Sequence, residues 1–123
     1  MVSYAQVDDS ELIKAVRKGD LGFLNKNLDN IDVNRFYGKK ENKALLHLAV
    51  RSGQEKTVSF LLEKGTNPDT LCNDRSPLME AAIHDNLGIC RILLDNGANP
   101  QLQNSKNNTA LFYAASDASL RLN

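Results

Sequence analysis

His47, His84, Cys72 and Cys90 are the side chains of this sequence best suited to reaction near neutral pH. A histidine beside a cysteine would give an activated thiolate, and a histidine beside a serine an acyl-transfer pair. Neither is written into the chain, which has no H-E-x-x-H, G-x-S-x-G or G-K-[ST] segment. Asp8, Asp9 and Glu11 are a dense carboxylate group. Acids just ahead of an apolar-periodic stretch suit a helix N-terminus better than a metal. Two cysteines without a C-x-x-C pair fit neither a zinc cluster nor a disulfide scaffold, and they suit a reducing compartment. Cys90 reads as a core residue on a helix, and Cys72 as an exposed loop residue with nothing to activate it. We therefore expect no enzyme, no metal and no cofactor.

Charge is the other resource. The 123 residues carry 15 Lys plus Arg against 15 Asp plus Glu, so the chain is formally neutral. A broad electrostatic grip on nucleic acid or anionic lipid is disfavoured, although a local basic patch is compatible with neutrality. Hydrophobic residues make up 41% and charged residues 24%, the balance of one globular domain, here residues 1–123. No run approaches the ~18 apolar residues of a bilayer span. The opening MVSYAQVDDSELIKAV has no signal-peptide pattern. The expected setting is cytoplasmic, an intracellular one that leaves room for the nucleus.

The elements that position these residues are repeated. KALLHLAVRSGQEKTVSFLLEKGTNPD (43–69) aligns with RSPLMEAAIHDNLGICRILLDNGANPQ (75–101) at a constant offset of 32. Leu46 falls on Leu78, His47 on Met79, Ala49 on Ala81, Gly65 on Gly97, and Asn67-Pro68 on Asn99-Pro100. Residues 107–118 repeat the start of the unit, and residues 10–34 carry a worn copy with Ala15-Val16, Gly19, Leu24 and Asp32-Val33-Asn34 in register. Within a unit, Leu78, Ala81 and Ala82 share one helix face at i, i+3 and i+4, as do Ile89, Ile92 and Leu93 on the next helix. Ser76 and Pro77 suit a helix start, and Gly97 a helix end. Each unit is two antiparallel helices and an outward loop, and neither helix pair buries its face without a neighbour.

A period of about 33 residues with a T-P-L-H-x-A-like core resembles the ankyrin repeat family, from about Ser10 to Ala118. The resemblance implies an all-α solenoid of stacked helix-turn-helix repeats with protruding β-turn tips. It divides the chain into a cap repeat (about 10–34), full repeats (about 43–69 and 75–101) and a partial repeat (about 107–118). Residues 119–123 are too few for a complete second helix, so we expect further repeats or a second copy to cover that end. The family's Thr and His bond the helix start to the adjoining turn. Here the pairs are Ala44/His47, Ser76/Met79 and Thr109/Phe112, so no unit keeps both. Each lost bond should cost about 1 kcal/mol. The longer connection 34–44 reads as an extended loop tip.

Partners of such stacks contact the loop tips and the concave face of the first helices. In this register those positions include Arg17, Lys18, Lys39, Lys40, Lys43, Arg51, Arg75, Ile83 and His84. Their N-terminal half is basic, opposed by Glu41 alone. Phe36 and Tyr37, in the long loop, are aromatic candidates for the same surface, or for covering the helices. The resemblance implies a non-catalytic adaptor or scaffold module, and the charge adds an acidic peptide or protein as its partner. The alternative is a sensor for a phosphate-rich ligand or oligonucleotide, with Lys39, Lys40, Lys43 and Arg51 on phosphates and Tyr37 or Phe36 stacking a base.

Overall fold

The computed structural model describes residues 7–38 and 43–122. In chain order its helices are α1 (Asp9–Lys18), α2 (Leu21–Lys26), α3 (Leu45–Arg51), α4 (Glu55–Glu63), α5 (Pro77–Ile83), α6 (Leu87–Asp95) and α7 (Ala110–Leu122). A 3₁₀ turn spans Leu28–Asn30. Strands β1 (Phe36–Tyr37) and β2 (Lys43–Ala44) pair antiparallel, with Phe36 opposite Ala44 and Tyr37 opposite Lys43. The expected extended loop is thus the two arms of a hairpin, and Lys39, Lys40 and Glu41 lie outside the described residues.

Local chemistry sets the helix ends. Asp8 accepts a bond from the Ser10 amide at 3.2 Å, with Asp9 and Glu11 in the first turn of α1, as the acid-rich start requires. Ser76 accepts from the Met79 amide at 3.1 Å, and Pro77 opens α5. Asn86 accepts from the Ile89 amide at 3.0 Å. Gly19 closes α1 at φ +72°, and Gly53 and Asp85 make the corresponding turns at +69° and +54°.

The helices form two layers. α1, α3, α5 and α7 pack in series, and α2, α4 and α6 pack in series behind them. Leu12, Val16, Leu45, Leu48, Ala49, Leu78 and Ala81 fill the core from the first layer, and Leu24, Val58, Leu61, Ile89 and Leu93 from the second. Asparagine and aspartate tie repeat to repeat on the loop side. The Asn67 amide donates to Asn34 Oδ1 at 2.8 Å, the Asn99 amide to Asp69 Oδ1 at 2.8 Å, and the Ser105 amide to Asp74 Oδ1 at 3.0 Å.

One expectation changes here. Cys72 is buried rather than exposed, at 4% of its surface. Asn73 and Asp74 take positive φ and make the tip of a tight turn, while Cys72 and Arg75 bond to each other across its base. Cys72 therefore stands on the body side of the tip. The last repeat supplies a single helix, α7, which runs unbroken for 13 residues. Ala118 occupies the register position at which Gly53 and Asp85 turn the chain, and alanine enters that left-handed conformation only at a cost. Leu111 and Phe112 on this helix are exposed.

Candidate functional site

The first-helix face begins with the last turns of α1, α3 and α5. Arg17, Arg51 and Ile83 hold equivalent positions there, followed by Lys18, Ser52 and His84. Arg17, Lys18, Arg51 and His84 are exposed, and Ile83 is half-buried. A narrow cleft of about 10 Å³, barely room for one water, is lined by Lys43, His47, Leu48, Arg51, Cys72, Asn73 and Glu80. The structure therefore brings Lys43 and Arg51 together with the 72–75 tip. Arg17 and Lys18 lie one repeat away, beside an open depression with Ser10, Ile13 and Lys14.

His47 is structural. It is buried, and its Nε2–H donates to the Arg75 carbonyl at 2.6 Å. A carbonyl only accepts, so Nε2 carries the proton and Nδ1 is an acceptor. Nδ1 is buried without a partner. Ala44, which begins α3, has no hydroxyl to offer it. Burial lowers the His47 pKa below its usual value, against the Arg75 carbonyl and the Glu80 charge, which raise it.

Glu80 was not among the residues singled out from sequence. It is 5% exposed and sits between two half-exposed side chains, the Arg75 guanidinium and the His84 imidazole. Arg75 Nη1 donates to its Oε1 at 3.4 Å, and His84 Nε2 lies 3.4 Å from its Oε2. Oε2 has no hydrogen-bond partner, because that ion-pair contact falls outside hydrogen-bond geometry. The signal was available: in the 32-residue register Glu80 stands where the preceding repeat has Leu48, a core residue.

Tyr37 is not a surface residue. It is 4% exposed, its hydroxyl donates to the Asp32 carbonyl at 2.8 Å, and it accepts from the Asp32 amide at 2.9 Å. Strand alternation turns Tyr37 inward and leaves Phe36 half-buried. Base stacking by Tyr37 is thereby removed. Burial also raises the Tyr37 pKa. The Cys90 thiol is half-buried against the core and pushed up by burial, with the Asp85 charge adding to it, so it stays protonated at neutral pH. Among the described residues no group of three His, Cys, Asp or Glu side chains is placed to hold a metal ion. No described helix is long and apolar enough to cross a membrane.

A family model for ankyrin repeats (3 copies) matches residues 12–104 and, in a second register, 46–121. The chain belongs to the ankyrin repeat family. An ankyrin repeat-containing protein of Treponema pallidum is 34% identical over 108 residues, covering 86% of this chain and 36% of its own length. The yeast protein HOS4 is 31% identical over 109 residues, covering 85% of this chain and 9% of its own. The mouse B-cell lymphoma 3 protein homolog is 35% identical over 77 residues, covering 61% and 17%. The chain thus spans about a third or less of each of these relatives. Ankyrin repeats generally mediate protein–protein interactions and are generally non-catalytic. In this ankyrin stack Lys43 and Arg51 line one cleft with the buried Glu80, which Arg75 also meets.

Proposed function

We propose that this chain is a non-catalytic interaction module that takes an acidic segment of a partner protein on its first-helix face. One observation carries the reading. The cleft between α3, α5 and the 72–75 tip is lined by Lys43 and Arg51, and the one carboxylate among its described lining residues, Glu80, is buried and meets Arg75. Arg51 and Arg75 thus present exposed positive charge beside a carboxylate that is itself withdrawn from the surface. Complementary charge speeds encounter and fixes register. Packed repeats also lose little conformational freedom on binding. Arg17 and Lys18 extend the same sign of charge along the stack, and an intracellular setting is part of the reading.

The test compares capture from cell lysate by the parent chain and by an Arg17→Glu/Arg51→Glu/Arg75→Glu variant with an unchanged circular dichroism spectrum. Loss of the acidic members of the captured set is expected. Identical sets from the two chains would remove the basic face from the account.

A further inference from the structure

The geometry points to Glu80 as a positioning residue that holds Arg75, and with it the anion-binding edge of this face, in its binding orientation. The inference rests on the acidic-partner reading above and names how its site is built.

Glu80 does not touch a partner directly. Its side chain is 7% exposed, whereas those of Arg75 and His84 are each 44% exposed. The carboxylate thus lies beneath a guanidinium and an imidazole that reach the surface. Leucine at the equivalent position of the preceding repeat shows that the fold accepts an apolar residue there. A buried carboxylate whose contacts are both 3.4 Å, one of them outside hydrogen-bond geometry, is a poor source of stability. Its contribution is orientation. The Arg75 backbone is fixed by the His47 bond and by the paired bonds to Cys72. Its long side chain is rotamer-rich, and Glu80 is the acid the structure places against its guanidinium. A guanidinium already held against Glu80, a residue that lines the cleft, loses less freedom when a partner carboxylate arrives.

The sign of one substitution separates this from simple charge. If Glu80 acted only through its negative charge, removing it would tighten the binding of an acidic chain. As a positioning residue, its removal weakens that binding. The probe is a fluorescein-labelled octaglutamate peptide, followed by anisotropy with the parent chain, Glu80→Leu, Glu80→Gln, Arg75→Ala and the Arg75→Ala/Glu80→Leu double variant. We expect Arg75→Ala to weaken binding about tenfold and Glu80→Leu about fivefold, with Glu80→Gln falling in the same direction. The double variant should bind no worse than Arg75→Ala alone, since the two residues act as one unit. Without peptide, the ¹⁵N heteronuclear NOE of the Arg75 Nε–H group should fall in Glu80→Leu, while the urea midpoint stays level or rises. Tighter or unchanged binding in both Glu80 variants, or an Arg75 NOE that does not respond, overturns the positioning role and leaves the acidic-partner reading standing. A parent chain that ignores octaglutamate overturns both.

Discussion

Ala44 is where this stack gives up stability that its own pattern could supply. It begins α3 in an extended conformation, φ −76° and ψ 136°, with no side-chain cap. Ser76 begins α5 at φ −79° and ψ 163° and caps it. Replacing Ala44 with threonine places a hydroxyl beside two unmet needs, the capping bond to the His47 amide and the buried, unpartnered His47 Nδ1. One hydroxyl serves both, accepting from the amide and donating to the ring. A cap adds about 1 kcal/mol, and relieving a buried orphan acceptor adds about 1 kcal/mol or more. Ala44→Thr should therefore stabilise the chain by about 2 kcal/mol, which is roughly 6–10 °C in Tm for a chain of this size. Urea and thermal unfolding measure it. Ala44→Val is the control of equal shape without the hydroxyl, and Ala44→Thr in a His47→Gln background isolates the ring bond. If threonine is no better than valine, or the gain survives intact without His47, the assignment of the orphaned nitrogen is wrong.

The same ring sets a pH dependence. Burial gives His47 a lower pKa folded than unfolded, so the unfolded chain binds more protons as pH falls through the ordinary histidine range, about 6.5. The His47 contribution is complete above that pH and is lost progressively below it, so the urea midpoint should drop from pH 7 to pH 5 by more in the parent than in His47→Gln. Gly53 turns the chain at φ +69°, and the nearest atom to an added Cβ is Asn86 Nδ2 at 4.0 Å, so Gly53→Ala tests backbone strain alone. It should cost about 1 kcal/mol in urea unfolding, and a neutral result would contradict the left-handed turn. Tyr37→Phe strips both Asp32 backbone groups of their hydroxyl partner and should cost about 1–2 kcal/mol by the same measurement. Thr57, fully buried with an unpartnered hydroxyl, stands where the next repeat has Ile89. Thr57→Val should raise the urea midpoint, by about 1 kcal/mol in stability.

The repeat register made most of the architecture legible, because a residue that is apolar, small or turn-forming in one unit has the same role 32 residues on. Leu45, Leu48 and Ala49 are buried just as Leu78 and Ala81 are, and Ser76 with Pro77 starts its helix. What escaped was decided by contacts that the 32-residue period does not carry. The fate of Tyr37 depended on a two-residue strand pairing and on Asp32 five residues upstream, and neither leaves a periodic trace. Cys72 was buried by a turn whose two positive-φ residues, Asn73 and Asp74, are only permissive signals in sequence. Glu80 was readable as a departure from Leu48, but its meaning required knowing that Arg75 and His84 come to meet it.

These details join stability and recognition in one chain of contacts. His47 of one repeat anchors the carbonyl of Arg75, the residue that opens the next. Arg75 in turn reaches Glu80 on α5, and Glu80 reaches His84 at the end of that helix. A residue conserving the fold at 47 therefore also sets the height of the cation at 75 above the cleft. The two effects are separable because the anchor acts on the backbone and the carboxylate acts on the side chain. Ala44→Thr is expected to strengthen the first, and Glu80→Leu to loosen the second while leaving the His47–Arg75 backbone bond in place. A stack that leaves Nδ1 of His47 unpaired and buries a glutamate in a leucine position has departed from its own pattern twice around one tip. The two departures share one location, beside the cleft lined by Lys43 and Arg51, and the binding assay on Glu80 and the unfolding assay on Ala44 read them separately.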